Sequence, residues 1–145
     1  MKRAKTFIEK ESAIERKWFI LDAKGKTLGR IATVSADILR GKKKAFFSPH
    51  MDCGDFLVII NAKDVVTTGK KEEQKQYFTH SGYPRGDKLI GLAKMRATFP
   101  ERIVFHAIKG MLPPNKLSDQ VLKKLRVYGG DAHPHSSQKF ETVKL

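Results

Sequence analysis

Apolar side chains fall into short runs along this chain, and the spacing within them switches between strand-like and helix-like periods. Trp18-Phe19-Ile20-Leu21 is a run of β-preferring residues closed by Asp22-Ala23-Lys24-Gly25, which predicts a buried strand and a turn. From Thr27 to about Arg40 the period lengthens. Leu28, Ile31, Ala32, Ser35, Ile38 and Leu39 share one helical face, while Arg30, Thr33, Asp37 and Arg40 fall opposite. Thr27 is the expected N-cap and Gly41 the expected stop. Asp55 to Asn61 is the most apolar stretch, and its Val/Ile content predicts a strand covered on both faces, as in parallel sheets.

The second half is more broken. Val65-Val66-Thr67-Thr68 reads as a short strand ending at the Gly69-Lys70 turn, and Gln76 to His80 as another. Ser81 to Gly86 is a loop. Residues 88–99 and 101–110 read as two helices interrupted by Pro100, with Ile103, Val104, Ala107 and Ile108 on the apolar side of the second. Leu117 to Leu125 predicts a short helix with Ser118 near its cap, and Arg126-Val127-Tyr128 a last short strand. Strands alternating with helices predict a layered α/β domain over residues 17–130. Residues 1–16 form a polar arm, and residues 131–145 an irregular tail.

Charge sharpens this picture. The 145 residues suit one domain and carry 29 Lys+Arg against 15 Asp+Glu, a net charge of +14. Solubility needs a magnitude of only about 2–8. Residues 1–45 alone hold 13 basic and 5 acidic side chains, whereas 46–69 hold one basic and three acidic, so an apolar centre wears a cationic shell. Nucleic acid is the polyanion that such a shell fits first. A membrane surface fits less well, since no apolar run approaches ~20 residues and no amphipathic helix has a lysine-rich back. No apolar stretch follows the basic N-terminus, and the lone Cys53 cannot close an internal disulfide, so a reducing, cytosol-like compartment is expected.

Two motifs invite catalytic readings. Gly25-Lys26-Thr27 lies between a strand and a helix, as a nucleotide-binding loop does, but Ile20 stands where the required earlier glycine would be. What remains is a turn into a helix N-terminus, where a single RNA phosphate can dock. His50, Asp52, Cys53 and Asp55, with His80, His133 and His135 elsewhere, could serve a metal-assisted RNA-processing enzyme. Their spacing matches no metal motif, so no metal, cofactor or small-molecule substrate is expected. Cys53 reads as a small buried residue.

The basic clusters carry the stronger signal. Arg40, Lys42, Lys43 and Lys44 follow a helix C-terminus, whose dipole favours cations, and lead through Phe46 and Phe47 to His50. Either phenylalanine could stack on a base or anchor the loop. Lys109-Gly110-Met111-Leu112-Pro113 places another cation at a helix end, and Lys123, Lys124 and Arg126 give the next helix a basic side.

Several of these stretches resemble one family in its order along the chain. They are Trp18 to Asp22, Gly25-Lys26-Thr27-Leu28-Gly29-Arg30-Ile31-Ala32, Leu39-Arg40-Gly41-Lys42, Pro49-His50 with Gly54-Asp55, and Asn61-Ala62. Thr68-Gly69-Lys70, Pro100-Glu101-Arg102, Lys109 to Pro113 and Leu125-Arg126-Val127-Tyr128 complete the series. The chain resembles bacterial-type members of the large-subunit ribosomal protein family L-thirteen across about Trp18 to His135. The resemblance implies a three-layer α/β/α sandwich on a small, mostly parallel mixed sheet. It implies binding of large-subunit (23S-type) ribosomal RNA early in assembly and bracing of that RNA afterwards, beside neighbouring large-subunit proteins, without catalysis or cofactor. It also implies a place in the ribosome of a bacterial-type cytoplasm, with an organelle left open. Expected RNA contacts are Lys26, Thr27 and Arg30; Arg40, Lys42, Lys43, Lys44 and His50; Lys70 and Lys71; Lys109, Gly110 and Met111; and Lys123, Lys124 and Arg126. The arm before Trp18, the segment from Tyr83 to Arg96 and residues 140–145 follow the family less closely. A free-standing mRNA or tRNA regulator would use the same surface.

Overall fold

In the computed structural model, which describes residues 10 and 13–143, the first apolar run is strand β1 (Trp18–Asp22). It lies in a parallel sheet of order β5-β2-β1-β6, with β2 at Phe56–Ile60, β5 at Leu125–Val127 and β6 at Phe140–Thr142. Alternation then sorts the side chains by face. Phe19 and Leu21 of β1, Leu57 and Ile59 of β2, and Leu125 and Val127 of β5 meet the helices in one apolar cluster. Leu21, Leu57 and Ile59 are fully buried, each a gain of about 1.5–3 kcal/mol over exposure.

The opposite face carries Trp18 stacked on Phe56 at 4.5 Å, with fully buried Val58 further along. Its cover is the C-terminal tail. His135 packs on Trp18 and donates to or accepts from the Tyr128 hydroxyl at 2.9 Å, while Phe140 meets Trp18 edge-on. The tail expected to be irregular therefore ends in β6, because Phe140 and its neighbours complete both the aromatic face and the edge of β1.

Helix α1 (Leu28–Arg40) buries the whole predicted face and also Ala36. Its C-terminus is closed by Gly41 at φ 73°, with the Lys42 N–H bonded to the Asp37 carbonyl at 3.0 Å. A Cβ on Gly41 would lie 2.6 Å from the Cys53 carbonyl oxygen, so glycine is needed for space as well as for conformation. The Thr27 N-cap differs from expectation: its backbone is extended, but its side chain makes no capping bond. The turn is held by backbone instead, with Gly25 N–H on the Asp64 carbonyl and Leu28 N–H on the Val66 carbonyl.

Three predicted elements change shape. Val65–Thr68 is not a strand. Only Val66 bridges, to Thr27, because Arg96 occupies the Val65 carbonyl at 2.7 Å. Residues 88–99 are not one helix, since Asp87–Gly91 is strand β4, paired antiparallel with β3 (Gln76–His80), and helix α3 begins only at Leu92. Tyr77 and Ile90, opposite each other in that hairpin, pack on the core together, which a helix could not arrange. Pro100 starts α4 (Pro100–Met111) at the position where its missing N–H costs nothing. Helix α5 (Lys116–Leu122) is capped by the Asn115 side chain, which accepts from the Ser118 N–H, and it stops short of Leu125, which belongs to β5. A four-residue helix α2 (Lys71–Gln74) precedes the hairpin. Most of the predicted N-terminal arm lies outside the described residues. Among the described residues, no helix is long and apolar enough to cross a membrane.

Candidate nucleic-acid interface

The predicted contacts divide between the two ends of α1, which lie about 20 Å apart along a 13-residue helix. At its N-terminal end, the backbone bonds of Gly25, Lys26 and Leu28 lash the turn to residues 64–66. That brings the Thr67–Lys71 stretch beside the helix start. Helix α4 packs against α1 on the other side, and the Thr33 hydroxyl reaches Met111 Sδ at 3.5 Å. The three segments enclose a cleft of ≈ 380 Å³, lined by Thr27, Gly29, Thr67, Lys71, Lys75, His106, Gly110 and Met111 among others.

This cleft contains cations and no carboxylate. The nearest acidic side chain in sequence, Glu72, is turned aside to Arg96, whose guanidinium donates to it at 2.9 and 3.1 Å. Arg96 also donates to the Glu72 neighbour Thr67 and to the Val65 carbonyl, so one side chain fixes the cleft's floor. The Arg96 hydrogen bond holds the Glu72 carboxyl below its ordinary range. His106 feels the uncompensated charge. Its burial first, then Lys109, Arg102 and Lys75, push its pKa below the ordinary 6.5. The first turn of α1 at the same end has no side-chain cap, and of its leading amides that of Leu28 is bonded to the Val66 carbonyl. Together these groups would hold a phosphate by charge-assisted hydrogen bonds.

Thr27, Lys71, Gly110 and Met111 thus converge, and Lys26, Arg30, Lys70 and Lys109 adjoin them in sequence. Lys75, His106 and Arg102 are additions that sequence reading missed. Arg102, His106 and Lys109 stand at helical spacing on the exposed side of α4, a signal that the apolar period could have pointed to.

At the C-terminal end of α1 the cations are less free than their clustering promised. Lys42 pairs with Asp37 at 2.9 Å, and Lys44 with Asp55 at 2.6 Å while also donating to the Glu15 carbonyl. Arg40 sits over the Phe47 ring and Lys44 over Phe46, and both rings are half-buried, so they anchor the loop. Lys43 and His50 are exposed, and Lys43 has no ion pair among the described residues. Lys124 is a correction. It is buried and paired with Asp52, which Arg16 also approaches at 4.0 Å, so it is withdrawn from the basic side that Lys123 and Arg126 still present. Its pKa falls because burial outweighs the raising effect of Asp52.

The same pairs bear on the segment at His50. Asp52 and Asp55 are engaged by lysines, and among the described residues no three His, Cys, Asp or Glu side chains are grouped to hold a metal. Cys53 is buried, with its sulfur 3.9 Å from the Phe46 carbonyl oxygen.

The family model described as Ribosomal protein L13 matches residues 16–134. The chain is 56% identical over 141 residues to the large ribosomal subunit protein uL13 of Dictyoglomus thermophilum, covering 97% of this chain and 99% of that protein. It is 52% identical to the protein of the same name from Moorella thermoacetica, covering 92% and 93%. With that of a Nostoc species it shares 52% identity, covering 98% and 94%.

Proposed function

This chain belongs to the ribosomal protein L13 family, and from that premise we propose that it braces large-subunit ribosomal RNA through the carboxylate-free cleft between α1, the Thr67–Lys75 stretch and α4. It is a structural component of the large ribosomal subunit and not an enzyme. Its association is with the RNA and proteins of that particle. The matched relatives named here are bacterial, which favours a bacterial-type cytoplasm.

The observation that carries the reading is the concentration of Lys71 and Lys75, with His106 beside them, around a helix start that lacks a side-chain cap, with no acidic residue in the lining. Like charges held together without counter-charges cost free energy, which a polyanion recovers. Arg30, Lys43, His50, Lys109, Lys123 and Arg126 extend the contact outward, while Lys42 and Lys44 chiefly shape their loop. Crowded phosphates are met by shape and charge more than by base readout.

Two measurements test this. A tagged chain should follow the large subunit in sucrose gradients when magnesium depletion separates the subunits. Retention at the top of the gradient would favour a free-standing RNA regulator. Binding to purified large-subunit RNA should weaken in the Lys71→Ala/Lys75→Ala double variant, with the slope of log K against log salt shallower by about 1–2. An unchanged slope would remove the cleft from the interface.

A further inference from the structure

The β3–β4 hairpin stands apart from the cleft and holds three of the largest exposed apolar side chains. Phe78 is 65% exposed, Leu89 63% and Tyr83 76%. Alternation explains the first two: Tyr77 and Ile90 turn to the core, so their neighbours Phe78 and Leu89, paired across the strands, turn to solvent. His80 lies on the same face, its ring 6.2 Å from that of Phe78 and within 25° of parallel.

The tip is built, not loose. Ser81 N–H donates to the Gly86 carbonyl at 3.1 Å, and Gly86 N–H to the Tyr83 carbonyl at 2.9 Å. Gly82 N–H donates to His80 Nδ1 at 2.9 Å, which fixes that ring. Arg85 adopts φ 61°, a conformation costly for a side-chain-bearing residue, and a Cβ on Gly86 would lie 2.0 Å from Ser81 Oγ. Backbone strain and tight packing are spent on holding Tyr83 and Arg85 outward. Such a loop has little freedom left to lose on binding. Neither Arg85 nor Lys88 is ion-paired among the described residues; alternation puts Lys88 on the side of Tyr77 and Ile90, and Asp87 opposite His80 on the aromatic face, with Arg85 at the tip between them.

We propose that the hairpin is a recognition finger for unpaired RNA nucleotides, with bases stacking on Phe78, His80 and Tyr83 and phosphates meeting Arg85 at the tip. The inference rests on the RNA-bracing reading above and assigns to it a second, single-stranded contact. Flat rings beside an unpaired arginine, on a chain of net charge +14, suit a polyanion whose units carry flat faces, and sequence-specific RNA contacts concentrate on such splayed bases. A protein partner is the competing occupant of this face.

The test uses the full chain with two probes: a labelled 12-nucleotide single-stranded RNA, and the same strand annealed to its complement. Phe78→Ala and Tyr83→Ala should each weaken single-strand binding about tenfold, with the salt slope unchanged, because a stacking contact and no phosphate contact is lost. Tyr83→Phe should restore binding, and duplex binding should hardly move. Circular dichroism checks that these exposed substitutions leave the fold intact. Wild-type affinity for the single strand in both alanine variants would overturn the finger. If the Lys71→Ala/Lys75→Ala variant still loses ribosomal RNA in that case, the cleft reading survives alone. Variants that bind the single strand normally but fail to enter large subunits would assign the face to a protein and also overturn the proposal. A wild-type chain that binds neither probe nor ribosomal RNA would sink both readings.

Discussion

Lys124 has Asp52 as its closest counter-charge, and it sits where water cannot replace that partner. Removing one member of a buried pair leaves the other desolvated and alone. Asp52→Ala should therefore lower the unfolding free energy by about 3 kcal/mol, read by denaturant titration, while replacing both residues with apolar ones should cost much less. The same substitution should leave the salt slope of RNA binding nearly unchanged, since Lys124 does not face the cleft. At this scale the sequence was legible only in part. Lys123, Lys124 and Arg126 look alike in a basic run, and nothing local says that the middle one turns inward to meet an aspartate 72 positions away. Lys42 and Lys44 were hidden in the same way by Asp37 and Asp55. Thr27, Lys71, Gly110 and Met111 could be picked out because helix ends and glycine turns leave a local trace. His106 lies mid-helix, and its one trace is the spacing it shares with Arg102 and Lys109 opposite the apolar row of α4.

Elements with a strong period were read correctly, as were β3 and, within one residue, β5, while β4 and β6 were missed. Helix α1 shows its face in six apolar positions, and β2 in one unbroken run. Strand β4 fails that test because Leu89 faces solvent, so Lys88-Leu89-Ile90 has no apolar alternation with a burial purpose and runs straight into α3. Strand β6 has three residues and pairs with β1 across more than a hundred positions. Its value lies in what the tail covers. Truncation after Gly130 should expose Trp18 and Phe56 and remove the His135–Tyr128 bond. The expected result is a red-shifted Trp18 emission and a loss of about 2–4 kcal/mol in stability, from lost apolar burial and cross-strand packing. Unchanged emission would mean that the tail does not roof that face.

Across the described residues, the acids nearest the basic segments are tied up in ion pairs. Asp37, Asp52, Asp55 and Glu72 each pair with a lysine or arginine of the chain, which leaves the lining of the cleft at the start of α1 without a carboxylate. His106 reports this imbalance. Its pKa is depressed in the free protein by burial and by Lys109, Arg102 and Lys75, so the folded state takes up its proton later than the unfolded chain does. The unfolded state binds more protons in that window, and His106's contribution to stability is present above about pH 6.5 and lost as pH falls toward the folded value. A phosphate in the cleft reverses the balance, because an anion beside the imidazole favours its charged form. Binding then takes up a proton, and affinity must rise as pH falls. Between pH 7.5 and 5.5, RNA affinity at fixed salt should increase about 3- to 10-fold, and His106→Ala should flatten that rise while leaving affinity at pH 7.5 nearly unchanged. A pH profile identical in the two proteins would place the RNA phosphates away from His106, and with them the centre of the interface away from this cleft.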